Sequence, residues 1–199
     1  MLQKSKNNKY NSIEGKILVA SPNMSDPRFT KTVIYMISDD IEGSMGIIVN
    51  KPAFNLDITK IFNNKNNLKK NSGSKYMIHY GGPVDFDRGF ILHTNDYKKS
   101  EEGTYLKNNL ILSSNSQILN DLNSGNGPSK FIVVIGYAGW QSYQLLEELK
   151  QNSWLVTNMN NKLLFSNNYK LKWKNALKSI GLEEKNLKSF KFSNYSGSA

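Results

Sequence analysis

The sequence predicts an α+β fold around a mixed β-sheet, and three observations carry that prediction. Short apolar runs bounded by Asp, Gly and Pro fill the first part of the chain. Segments with helical spacing gather later. A continuous apolar run, Phe131 to Ile135, leads through Gly136 and Gly139 into a segment of helical period. Its richness in β-branched residues suits a strand buried on both faces. There is no regular alternation of strand and helix of the kind a doubly wound parallel sheet requires.

Residues 1–12 are polar and are expected to be a flexible N-terminus, with residues 13–199 forming a single domain or two closely packed subdomains. Gly15 to Ala20 reads as a first strand, Thr32 to Ile37 as a second and Met45 to Val49 as a third. The polar turn Asp39 to Gly43 makes the last two an antiparallel hairpin, and Pro52, which cannot donate to a ladder, ends it. Asn55 or Asp57 is expected to cap a short helix through Phe62. The Lys- and Asn-rich stretch Asn63 to Lys75 reads as an exposed loop. Strands follow at Tyr76 to Tyr80, Gly89 to His93 and Leu110 to Leu112. Ser114 with Gln117 fits the capping-box pattern, and Ile118, Leu119 and Leu122 give that helix an apolar face that Gly125 terminates. Beyond the apolar run at Phe131, the Gly136–Trp140 segment is expected to be a turn. Leu145, Leu146 and Leu149 then form one face of a helix. Trp173, Ala176, Leu177 and Ile180 repeat at i, i+3, i+4, i+7, a core-facing stripe, and Gly181 stands where a C-cap glycine belongs. The tail from Ser193 is small and polar.

Composition narrows the function classes. With 26 basic and 16 acidic residues the formal net charge is +10, which raises the question of nucleic acid. Only Arg28 and Arg88 are arginines, however, and the chain carries 27 Asn. Excess Lys and Asn is the signature of an AT-rich genome, whereas phosphate and base recognition favours the bidentate fork of Arg. Direct sequence-specific binding of nucleic acid is therefore not expected. The absence of Cys excludes disulfides, thiolate nucleophiles and thiolate metal sites. No apolar run reaches membrane-spanning length, and the N-terminus lacks a signal-peptide core, so the expected location is the cytoplasm, with no membrane partner.

Four features invite chemistry. A turn at Gly136–Trp140 between strand and helix can bind an anion on free N–H groups, or its glycines can serve tight packing with Trp140 anchored in the core. It lacks the Lys-Ser or Lys-Thr of a P-loop. Gly81 to Arg88 brings Asp85, Asp87 and one of the two arginines together, which suits a cation on the acids, a carboxylate or phosphate on Arg88, or a turn between two strands with Arg88 in a structural ion pair. His79 and His93 lack metal-binding spacing and read as hydrogen-bonded structural residues, so no metal is expected. No G-x-S-x-G elbow supports a serine nucleophile.

Several of these segments together resemble the YqgE/AlgH family of bacterial proteins. They are GKILVASPNMSDPRFTKTVIYM from Gly15, GSMGIIVNKP from Gly43, GGPVDFDRGFILH from Gly81 and GYAGWQSYQLLEELKQNSWL from Gly136, with LLF at Leu163 and WKNAL at Trp173. The resemblance runs from about Gly15 to the tail. Two positions depart from the family pattern: Tyr143 stands where it has glycine and Leu146 where it has an acid, while Gln144, Leu145 and Glu148 agree. The resemblance implies a branched sheet surrounded by short helices. Members are largely uncharacterised, some are described as candidate transcriptional regulators, and no catalytic residues or cofactor carry over.

The leading expectation is a non-enzymatic regulatory or interaction protein acting through a protein partner. The alternative is a small-ligand or nucleotide-binding protein, or an enzyme of unknown reaction. Its site would gather Asn50, Gly81, Gly82, Arg88, Gly136, Gly139 and Trp140 in loops at strand ends.

Overall fold

The computed structural model describes residues 11–53, 77–97, 103–115 and 117–182. Its strands are β1 (Ile17–Ala20), β2 (Val33–Asp39), β3 (Gly43–Ile48), β4 (Ile78–Tyr80), β5 (Val84–Thr94), β6 (Thr104–Leu106), β7 (Leu110–Ser113), β8 (Phe131–Gln141) and β9 (Trp154–Thr157). The α-helices are α1 (Gln117–Asn123), α2 (Gln144–Lys150), α3 (Asn161–Leu164) and α4 (Tyr169–Ser179). The strands form one curled sheet in the order β6-β7-β5-β8-β3-β2-β1-β9, with β4 also paired to β8. The expected short helix before Phe62, the Asn63–Lys75 loop and the polar tail lie outside the described residues.

The fold is α+β. Among the described residues every pairing of strands is antiparallel except the parallel pairing of β4 with β8, so the sheet is mixed. The helices are few and short, and they cover parts of the sheet rather than enclosing it.

Strand β8 organises the sheet. Its first half pairs with β5, Gly89 opposite Ile135 to His93 opposite Phe131, and on its other side with β4, Ile78 opposite Val133. Its second half pairs with β3, Gly46 opposite Ala138 to Gly43 opposite Gln141. The sheet thus branches along β8, where β4 gives way to β3.

This corrects the expected turn at Gly136–Trp140. The chain runs through both glycines as strand and turns only at Ser142 and Tyr143. Gly136 has φ +66, and a Cβ there would sit 2.7 Å from the carbonyl oxygens of Gly82 and Val84. The glycine therefore lets β8 bend as it passes close beneath the Gly81–Val84 segment; it does not end the strand. Similarly, β5 starts at Val84 and not at Gly89. Asp85 and Asp87 lie in an irregular stretch of strand with a register shift between Val84 and Gly89, and Asp85 has φ +48.

Alternation along the strands separates two sides of the core. Ile17, Val19, Val33, Tyr35, Phe90, Leu92, Ile132 and Val134 face one side, where Leu164, Trp173, Ala176 and Leu177 from α3 and α4 cover them. Leu18, Ala20, Ile34, Met36 and Ile48 join Trp140, Leu145 and Trp154 on the other. A third cluster packs Ile91, Val133 and Ile135 against Ile118 and Leu119 of α1. The buried β8 run and the α4 stripe match the sequence reading. So does the hairpin of β2 and β3. Gly181, at φ +79, closes α4 as expected, with its N–H on Lys178 O and the Leu182 N–H on Leu177 O. At the start of α1, Asn115 Oδ1 accepts the Gln117 N–H at 2.8 Å, a role the sequence reading assigned to Ser114.

Tyr143, the family's glycine position, stands at φ +61 just before α2. That left-handed conformation explains why glycine suits the site; tyrosine adopts it at a strain of about 1–2 kcal/mol.

Candidate functional site

The seven residues expected to form a site are distributed as follows. Gly81, Gly82 and Gly136 come together, backbone against backbone: the Gly81 N–H donates to Ile135 O at 2.7 Å, and a Cβ on Gly81 would meet Gly136 O at 2.3 Å. The Ile48 N–H reaches Gly81 O, which brings the end of β3 to the same place. Asn50, two residues on, accepts the Val33 N–H at 2.8 Å and donates to Lys31 O at 2.9 Å, so its amide holds the β2–β3 unit together. Gly139 is a strand residue opposite Met45. Trp140 is buried, and its indole N–H donates to Glu148 Oε2. Arg88 is exposed, with its guanidinium 5.0 Å from the Phe90 ring centroid, and among the described residues it makes no ion pair.

The histidines divide. His93 is fully buried, its Nδ1–H donating to Thr94 O at 2.9 Å while the Ser113 hydroxyl donates to Nε2 at 3.0 Å. This is the structural histidine expected. His79 is also buried, at 7% exposure, yet its Nδ1 has no hydrogen-bond partner among the described residues. Native proteins leave very few buried polar atoms unpaired, so this one calls for a reason.

His79 lines a cleft of about 730 Å³, a volume in the range of small-molecule sites. One wall is β4 with the approach to β8. The other is α3, its following loop and the start of α4. Phe131, Phe165 and Tyr169 give it apolar surface, and the Tyr169 ring meets the His79 imidazole edge-on at 6.1 Å. None of the seven residues above lines it.

Lys172 completes the wall, and the sequence reading did not find it. Its exposure is 1%. Its ammonium donates to Val49 O at 2.8 Å and Leu164 O at 2.6 Å, tying the end of β3 and the end of α3 to α4. An ammonium has three protons, so one remains beyond these two bonds. The signal was present: position 172 lies four residues before Ala176, on the same stripe as Trp173 and Leu177. Lysine is so seldom buried that its place on the stripe does not by itself mark it as a core residue.

Burial, chiefly, and the positive charge of Lys172 bring the His79 imidazole from its ordinary 6.5 down to about 4, although the Val133 and Met77 backbones favour the charged ring. Burial brings Lys172 down to about 8. Both groups hold protons less tightly when folded than when unfolded, so stability rises with pH across each interval. For His79 that interval is pH 4 to 6.5. At about 1.4 kcal/mol per pH unit, acidification across it should remove up to about 3 kcal/mol. Urea titrations of the protein and of His79→Phe check this; equal slopes in both would refute it.

The protein is thus an α+β domain built on a curled mixed sheet, with a lysine-lined cleft beneath its short helices. The chain belongs to the AlgH-like family (DUF179), whose profile matches residues 17–185. It is 38% identical over 176 residues to a UPF0301 protein of Rickettsia canadensis, covering 88% of this chain and 92% of that one. A UPF0301 protein of Bradyrhizobium is 36% identical over 178 residues, covering 86% and 82%. The solution structure of AlgH from Pseudomonas aeruginosa superposes with a TM-score of 0.73 at 29% identity, covering 97% of this chain and 99% of that one. A crystal structure of the protein DIP2367 from Corynebacterium diphtheriae shares the fold, with a TM-score of 0.64 at 19% identity. No described helix is long and apolar enough to cross a membrane.

Proposed function

We propose that the protein is a non-enzymatic regulatory protein that binds a small molecule in the His79–Lys172 cleft and presents the occupied state to a protein partner. The observation that carries this reading is the buried, unpartnered Nδ1 of His79 in the wall of a ligand-sized cleft. Such an atom costs stability in the empty protein, and a ligand that pairs with it removes that cost. Binding rather than turnover is favoured because neither cleft serine, Ser129 or Ser166, bonds to Nδ1 of His79, a pairing that would activate a nucleophile there. The same reading extends to regulation of gene expression through the partner and not through bases, since the positive charge is almost all lysine.

Thermal-shift screening of nucleotides and metabolites tests it. A ligand at a hundred times its dissociation constant adds about 2.7 kcal/mol of stability. Hits should shift the NMR resonances of His79 and Tyr169, and a pull-down should recover a partner in a ligand-dependent way. A library in which nothing raises Tm and nothing perturbs those resonances would refute the reading.

A further inference from the structure

We infer that the cleft selects a small organic anion, with its charged oxygen head at Lys172 and His79 and its apolar or ring body against Phe165 and Tyr169. This deepens the proposed function and rests on the cleft being a ligand site. The first ground is the sign of the lining. Lys130, Lys162 and Lys172 contribute to it, together with His79, and no Asp or Glu does among the described residues. Asp96, which reaches the rim at Ser129, accepts the Ser129 N–H and the Thr94 hydroxyl, so its oxygens already have donors.

The second ground is the condition of Lys172. A cation removed from water is normally compensated by a counter-ion. Lys172 has two backbone carbonyls instead, which take two protons but carry no net charge. One proton and the positive charge are left without an acid to meet them. An anionic oxygen supplies both a third acceptor and the missing charge. The third ground is His79. In its Nδ1–H tautomer the ring donates to the same head group, which pairs the orphaned atom. Neutral ligands offer the histidine a partner but leave the lysine charge unmet.

The position of the lysines suits this division of work. Lys172 is buried and fixed by two hydrogen bonds, whereas Lys130 and Lys162 are exposed. The buried one sets the head group; the exposed pair draws anions in and weakens with salt. The aromatic walls provide contact area for a body that an inorganic ion lacks.

Calorimetry and NMR titration of the full chain with phenyl phosphate, phenylacetate, phenylacetamide and inorganic phosphate test the inference. One or both organic anions should bind, and the one that binds more tightly identifies a phosphate or a carboxylate head. The neutral amide should bind at least about tenfold more weakly, a difference of about 1.4 kcal/mol. Inorganic phosphate should bind more weakly than phenyl phosphate. The double variant Lys130→Gln/Lys162→Gln should lose several-fold affinity for the anion with Tm unchanged, and Lys172→Met should lose it altogether. Because Lys172→Met also frees two carbonyls and can impair folding, the rim variant and the amide provide the decision without it. An amide that binds as tightly as the acids, or a rim variant with unaltered affinity, overturns the anion inference and leaves the cleft as a ligand site. If none of the four probes moves the His79 and Tyr169 resonances, the cleft reading falls, and this inference with it.

Discussion

Gly82→Ala should cost the fold about 3 kcal/mol or more. An added Cβ would lie 2.0 Å from the carbonyl carbon of Tyr137, 2.1 Å from its oxygen and 2.3 Å from the Ala138 nitrogen. These are backbone atoms of β8 at the point where it passes from β5 and β4 to β3. No rotamer change relieves the contact. Either the Gly81–Val84 segment lifts away or β8 shifts, and both break ladder hydrogen bonds. Overpacking of this kind costs roughly 1–3 kcal/mol even where side chains can give way. Total stability is only about 5–15 kcal/mol for a domain. Gly125→Ala is the control: it also has positive φ, but nothing lies within 4 Å of its Cβ, so backbone strain of about 1–2 kcal/mol is its whole effect. Urea denaturation of both variants makes the comparison, and equal losses would contradict the close-approach account.

Glu148→Ala should destabilise by about 2–4 kcal/mol, through two tryptophans. Oε2 of Glu148 accepts the indole N–H of Trp140 at 3.0 Å and that of Trp154 at 2.7 Å, while Oε1 accepts from the Gln144 amide at 2.9 Å. One carboxylate therefore joins α2 to β8 and to the edge strand β9. Trp140 and Trp154 are both buried, 6% and 3% exposed, with ring centroids 5.9 Å apart, and Phe29 packs against each. Alanine leaves two buried N–H donors unpaired, at about 1–3 kcal/mol each. Glu148→Gln keeps an oxygen acceptor and should cost less. Denaturation followed by tryptophan emission reads both changes, because the indoles are the reporters. An alanine variant within about 0.5 kcal/mol of the parent, the range of an ordinary surface substitution, would show that the indoles find other partners.

Glu148 and Gln144 were visible in the sequence only as agreements with a family pattern. Their reason lies in the two indoles, and Trp154 belongs to a strand that the sequence did not announce. Trp154–Thr157 is only four residues long, and the Asn and Ser residues on either side suit a loop as well as the ends of a strand. It becomes a strand by pairing with β1, Ile17 opposite Thr157 to Ala20 opposite Trp154. Gly136 was legible as a special backbone position but not as which kind. A glycine after an apolar run can end a strand or admit a close neighbour, and the neighbour here comes from residues about fifty positions earlier, an approach that no local pattern encodes.

Local patterning was enough for the hairpin of β2 and β3, the buried run at the start of β8, the stripe of α4 and the α+β class. Each depends on residues a few positions apart, where side-chain period and turn chemistry act directly. The family was legible too, because several segments in order carry it together. The branching of the sheet along β8, the carboxylate shared by two indoles and the cleft required the chain to be folded. His79 and Lys172 are separated by 93 positions, and neither has a sequence neighbour that marks it. One is an ordinary strand histidine and the other one lysine among many until β4 and α4 are packed across the end of the sheet. Burial then removes water from both and lowers their hold on protons, a property of the packed molecule and not of any segment.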